Sequence, residues 1–295
     1  MELMVAMAIT TIIVTVLVSI TSIALETWNR SRAELRAARQ AKSMIDVMAF
    51  DFQGMVARRG NTNEWLSAIV ESQLPGGKIA STNASKLIFF TAATDRYDGR
   101  IGTADDKGGD VSCVGYQLDY RDPMSVSGNE FQTFVLNRLL VNPDSTFRDL
   151  LGKPDLTTAF STYSTQLSDP KNFVCENVYQ FTVTFKVEVT TVPATGTTPA
   201  TIVNVPVTIG KTSSGQTTNK FKVNGKGIEA EISGGEVTTE QLVSGRITGV
   251  EISATVISDF GIDQMKRRPF TPTQQAEFMA KNSFQYSKLV QISSM

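Results

Sequence analysis

The sequence predicts an α+β protein in which one very long N-terminal helix lies on an antiparallel β-sheet, and three observations carry that prediction. No charged residue occurs between Leu3 and Leu25. Apolar residues then recur at steps of three or four through Leu35, Ala38, Ala41, Ile45, Met48, Phe52 and Met55, the spacing of one helical face. Beyond Pro75-Gly76-Gly77 the period changes to two, as in strands that rest one face on a core.

The helix comes first. At about 1.5 Å per residue, the uncharged run matches a hydrocarbon core of roughly 30 Å, so residues 1–25 are expected to cross a bilayer as its first half. Thr and Ser interrupt the run, and their hydroxyls can bond back to carbonyls of the same helix. The start, Met1-Glu2, lacks the Lys or Arg that opens a cleaved secretory signal. Nothing then stops the helix: the first glycines are Gly54 and Gly60 and the first proline is Pro75. Roughly 50 to 58 helical residues, about 80 Å, follow from that. Residues 26–60 form the amphipathic half, a lid for a folded domain.

Residues 61–295 are expected to be that domain, rich in β-structure. Residues 86–91, Lys-Leu-Ile-Phe-Phe-Thr, read as a buried strand. Val114, Tyr116, Leu118 and Tyr120 alternate with Gly115, Gln117, Asp119 and Arg121, and residues 134–141 are placed beside them. Tyr179, Phe181, Val183, Phe185, Val187 and Val189 give the clearest alternation, and Val250, Ile252, Ala254 and Val256 add a fifth strand. One antiparallel sheet with one apolar face against the helix accounts for all five. Between about 190 and 245 the composition turns to Thr, Ser, Gly, Val and Pro, which reads as a solvated, hairpin-rich insertion or an exposed arm for partner contacts or glycans. Within it, residues 202–209 and 221–223 are flanked by turn formers and remain strand candidates. The tail reads as a short helix over 270–280, capped by Thr271 or Thr273, and a last edge strand over 286–292.

Composition excludes several functions. There is no histidine, which removes Ser-His-Asp and Cys-His nucleophile pairs and every His metal ligand. Lys plus Arg (28) nearly cancels Asp plus Glu (29), and a net charge of −1 supplies no overall field for nucleic acid. No carboxylate pair or phosphate-binding glycine loop stands out, so neither an enzyme nor an organic cofactor is expected. Cys113 and Cys175 lie at two strand starts. Neighbouring strands would bring their α-carbons into the bridging range of about 4.4 to 6.8 Å, so the pair is either a disulfide or two buried thiols. Asp95, Asp98, Asp105, Asp106 and Asp110 are interleaved with glycines. Asp105, Asp106 and Asp110 are the calcium candidates, set against a plain solvated loop, and the spacing is not that of an EF-hand.

The stretch Glu2-Leu3-Met4-Val5-Ala6-Met7-Ala8-Ile9 resembles the segment just after the cleavage site of type IV pilins and pseudopilins. In those proteins a glycine and a Phe-Thr-Leu-Val/Ile-like stretch come before the glutamate. Met1 stands there instead, so the leader peptide and first mature residues are expected to be missing from a truncated or misassigned start. Arg36-Ala37-Ala38-Arg39-Gln40-Ala41, followed by Asp51-Phe52-Gln53, resembles the larger J- or W-type pseudopilins and minor pilins. Glu26-Thr27-Trp28 through Arg59-Gly60, with Glu64-Trp65-Leu66, is similar to verrucomicrobial pilin-like cassette proteins.

The resemblance implies a pilin fold and a structural subunit of a type IV pilus or type II secretion-like filament. Glu2, Leu3, Val5 and Ile9 would be its assembly contacts, with Glu2 paired to a neighbour's N-terminal amine. The implied partners are other pilin-like subunits, inner-membrane assembly machinery, prepilin peptidase and membrane lipid, with N-methylation after processing. The implied location is the bacterial inner membrane, crossed once, with the β domain periplasmic or in an extracellular filament. Arg30, Arg32, Arg36, Arg39 and Lys42 would by the positive-inside rule place that domain in the cytoplasm, a bias that a basic leader would reverse. The alternative reading is a monomeric, membrane-anchored β-domain that binds a ligand, glycan or surface.

Overall fold

A computed structural model of the chain describes residues 2–71, 74, 83–92, 109–124, 131–192, 201–212, 215–234, 238–268 and 270–292. Helix α1 spans Glu2–Gln53 without a break, as expected of a run with neither proline nor glycine. It ends where a strand takes over its hydrogen bonding. Val56 N–H donates to the Phe90 carbonyl at 2.9 Å, and Ala92 N–H donates to the Gly54 carbonyl at 2.8 Å.

Four strands follow: β1 (Glu64–Val70), β2 (Ser85–Thr91), β3 (Ser112–Arg121) and β4 (Thr133–Val141). A helical excursion carries α2 (Pro143–Ser145), α3 (Leu156–Phe160) and α4 (Ser164–Leu167). Then come β5 (Phe173–Glu176), β6 (Val178–Val192), β7 (Thr201–Thr208), β8 (Gly210–Lys211), β9 (Thr217–Asn224) and β10 (Gly227–Ser233). The chain closes with α5 (Thr239–Val243), β11 (Arg246–Ile257), α6 (Asp259–Arg267), α7 (Pro272–Asn282) and β12 (Ser283–Gln291). Thr271 caps α7, its side chain accepting from Gln274 N–H while the Gln274 side chain accepts from Thr271 N–H. The α+β class is as the sequence predicts.

The strands form two antiparallel sheets where one was expected. The larger runs β10-β9-β1-β2-β3-β4-β5 with β8 beside β9, and the smaller runs β12-β11-β6-β7. Asn177 makes the transfer between them. It sits at φ 61°, a left-handed conformation that Asn tolerates better than most residues, and its N–H donates to the Phe134 carbonyl at 2.6 Å while its own carbonyl accepts from Ile257 N–H at 2.9 Å.

One core joins the second half of α1 to the inner faces of both sheets. Ala37, Ala41, Met44, Ile45, Met48, Ala49 and Phe52 face it. Leu35, expected on that face, is 58% exposed, because this helix carries a second apolar stripe and period alone does not say which one is covered. Phe52 stacks on Phe89 at 4.4 Å, and Phe185 of the small sheet stacks on Phe221 of the large one at 4.3 Å. Burial of each such side chain contributes about 1.5–3 kcal/mol. The large sheet is covered on its other face too, by the helical excursion. Ile88, Phe90, Cys113, Leu139 and Val141 form a second cluster there with Leu156 and Phe160. Burial on both faces explains why β2 and β4 read as unbroken apolar runs.

One expectation is corrected. The segment read as a solvated insertion or exposed arm supplies β7, β9 and β10, so its strand candidates, residues 202–209 and 221–223, correspond to β7 and β9, and β9 lies inside the large sheet between β10 and β1 with Phe221 fully buried. Of the two alternatives for Cys113 and Cys175, a disulfide or two buried thiols, the structure has the second: both are buried free thiols. β4 separates their strands, Cys113 pairing with Val141 and Cys175 with Leu136. Cys113 belongs to the outer cluster and Cys175 to the inner core, so the sheet itself stands between the sulfurs. Burial pushes both thiols up, Cys175 to about 12.

Candidate assembly helix

Helix α1 passes through three environments. Over its first half the side chains from Leu3 onward are exposed: Leu3 is 76%, Val5 58% and Ile9 53% accessible. None of the most apolar window is buried against the rest of the chain. The threonine hydroxyls of this span are satisfied from within. Thr10, Thr11, Thr15 and Thr21 each donate to the carbonyl four residues back at 2.8 Å, so these four hydroxyls need no water inside a bilayer. Trp28, 68% exposed, follows the run by three residues, the depth at which indole rings meet headgroups.

The middle of α1 is tied to the domain by ion pairs. Arg36 meets Glu176 at 3.0 Å and Asp259 at 3.6 Å, and Gln40 also donates to Glu176, at 3.2 Å. Arg30 pairs within the helix with Glu34 at 3.0 Å. Lys288 on β12 donates to Asp46 at 2.6 Å and holds that carboxyl below its ordinary range. Of the five cations read as one solvated face, Arg32, Arg39 and Lys42 have no ion-pair partner among the described residues.

The end of α1 is locked to the large sheet. Asp51 is fully buried and accepts a two-pronged bond from Arg138: Nε to Oδ2 and Nη2 to Oδ1, both at 2.8 Å. The Tyr116 hydroxyl donates to the same Oδ2. Burial, followed by the charge of Asp51, pushes the Tyr116 phenol well up. Thr91 completes the lock by donating its hydroxyl to the Asp51 carbonyl at 2.8 Å. A two-pronged charge-assisted bond fixes rotation as well as distance, so this cluster sets how far along the sheet the helix sits. Sequence reading singled out Asp51 but missed Arg138 and Tyr116. A signal existed: Arg138 shares strand parity with Phe134, Leu136 and Leu140, so an arginine stands on an inward-facing row.

Opposite the buried face runs the second stripe. Trp28, Leu35 and Phe50, the last 60% exposed, line up with Arg39, Lys42 and Asp46. Two shallow grooves follow it and meet at Arg39, the lower walled by Trp28 and Leu35, the upper by Val47, Phe50 and Arg138. No described part of the chain fills them.

Of the other expected site residues, Glu2 opens α1, and Leu3, Val5 and Ile9 lie along the exposed span. Asp105 and Asp106 lie outside the described residues, and Asp110 is exposed. Among the described residues no group of three or more His, Cys, Asp or Glu could hold a metal ion.

No family model matches the sequence, and no curated protein matches it. Among solved structures, a type IV-like pilin from Thermus thermophilus is similar, at 10% identity over 87% of this chain and 96% of the other, with a TM-score of 0.29. A superposition that loose transfers no residue's role. What stands on this chain's own geometry is an exposed apolar N-terminal helix whose continuation packs on antiparallel sheets.

Proposed function

We propose that this chain is a structural subunit of a pilin-like filament, of the minor-pilin or pseudopilin kind, and that it assembles through α1. The carrying observation is the division of the helix. Its second half is fixed to the sheets by Asp51 and Arg138, while its first half and the Trp28–Leu35–Phe50 stripe have no partner within the described chain. A tether needs only the bilayer span. A subunit also needs an outward apolar face above the membrane, and large exposed apolar groups along a rigid helix supply one.

On this reading Leu3, Val5 and Ile9 pack against neighbouring helices, and Glu2 pairs with a neighbour's N-terminal amine. The partners are other pilin-like subunits, delivered by an inner-membrane assembly machine of type IV pilus or type II secretion type. Prepilin peptidase and N-methylation would process the start, and the β domain would stand on the outer side of the bacterial inner membrane.

Glu2→Ala, expressed from the native locus, tests this. Membrane insertion is expected to survive, since a charge beside an apolar run is removed. Recovery of neighbouring subunits by co-purification is expected to fall, because a buried amine loses its counter-charge at a cost of about 3–5 kcal/mol. Equal recovery with Glu and Ala would contradict the subunit and favour the membrane-anchored binding domain.

A further inference from the structure

At the end of the domain away from the apolar span lies a cleft of about 180 Å³ whose walls carry four cations. Arg58 and Arg59 come from the chain leaving α1, Lys226 from the turn between β9 and β10, and Arg246 from the first residue of β11. No carboxylate lines it. Arg59 is engaged within the chain, whereas Arg58, Lys226 and Arg246 are exposed and without an ion-pair partner among the described residues. The nearby acids are placed elsewhere. Glu229 accepts from Asn224 Nδ2 at 2.5 Å, Glu64 pairs with Lys222, and Glu188, the ladder neighbour of Arg246, is not part of the wall.

The position of the cleft is set by backbone. Gly60 N–H donates to the Gly225 carbonyl at 2.8 Å, and a Cβ on Gly225 would stand 2.5 Å from the Asn61 carbonyl oxygen. Gly227 lies at φ +145°, where a Cβ would fall on the Val243 carbonyl. The three segments that present the cations are therefore held at backbone contact, and their spacing does not depend on flexible packing. Asn224 Oδ1 takes the N–H groups of Lys226 at 2.9 Å and Gly227 at 3.1 Å, so side-chain charge is what the cleft offers.

Cations from three chain segments around a space of about six waters' volume suit a compact dianion with oxygens on several sides. Guanidinium groups grip such oxyanions with paired N–H donors, and an ammonium adds a point charge. We infer that this cleft binds a phosphate group, free or as a monoester, presented to the end of the domain farthest from the membrane. Leu25 to Gln53 is 28 helical steps, so about 40 Å of helix separates the apolar span from the chain that carries Arg58. The inference does not depend on the filament reading.

The test uses the full chain in neutral detergent micelles, titrated calorimetrically with inorganic phosphate and with glycerol 3-phosphate, against sodium chloride at matched ionic strength. Saturable binding of one equivalent is expected. Lys226→Gln and Arg246→Gln should each weaken it about tenfold or more, while Lys171→Gln, a distant surface change, leaves it unaltered. Unfolding midpoints without phosphate should match the parent, separating lost binding from lost fold. Equal affinity for the two probes identifies free phosphate as the ligand, and tenfold tighter binding of the ester identifies a phosphate carried on a larger molecule. Heat that is linear in phosphate, heat reproduced by chloride, or binding that persists in the Lys226→Gln/Arg246→Gln double variant would overturn the inference.

Discussion

Removing a carboxylate from water costs several kcal/mol, so Asp51 tolerates full burial only because Arg138 and Tyr116 supply three donors to it. Either single loss therefore does more harm than the joint one. Asp51→Leu or Arg138→Met alone is expected to destabilise the chain by about 3–5 kcal/mol, because each strands an unpaired charge. The double variant, apolar on both sides, is expected to recover much of that, measured by chemical denaturation of the detergent-solubilised chain. Additive losses would mean that the two side chains act independently. Both members were visible in the sequence, Asp51 between Met48 and Phe52 on an apolar face, and Arg138 within an apolar strand. Their pairing was not, because it depends on the height at which α1 crosses β4, which no local pattern encodes.

At the scale of elements, legibility followed pattern: β2 and β4, buried on both faces, were read as unbroken apolar runs. Strands β3, β6 and β11 alternate and were read from the sequence. β1, Glu-Trp-Leu-Ser-Ala-Ile-Val, is buried on both faces over its first five residues, shows no alternation, and was missed. β9 was half seen through its Phe and Val, but its place between β10 and β1 is a long-range pairing without a local signature. The cover over the outer face was also illegible, since the excursion that forms it is built of helices of three to five residues. Gly115 shows how close that cover lies: a Cβ there would fall against the Phe160 ring. Gly115→Ala is expected to cost about 1–3 kcal/mol through overpacking. Combining it with Phe160→Leu should cost less than the sum of the single changes, because the smaller side chain relieves the same clash. Strict additivity in denaturation would show that α3 does not bear on β3.

The described residues divide into an apolar span with no partner among them, a docked half-helix beneath two sheets, and an outward stripe on that half-helix. Composition and period gave the first two, because a long uncharged run and a 3.6-residue repeat are local properties. Which side of the amphipathic half stays open came only from the structure, where Leu35, expected on the buried face, is exposed and Ala37 is buried. The central claim is that this open side meets neighbouring subunits. Single cysteines at Trp28, Leu35 and Phe50, and at the core-facing Ala41 and Met48, can carry a photo-activated cross-linker in native membranes, while Cys113 and Cys175 are buried and leave the background low. Illumination is predicted to give discrete protein adducts at 28, 35 and 50 and none at 41 and 48. A chain that stays monomeric at every position, or that captures only lipid, would contradict the account.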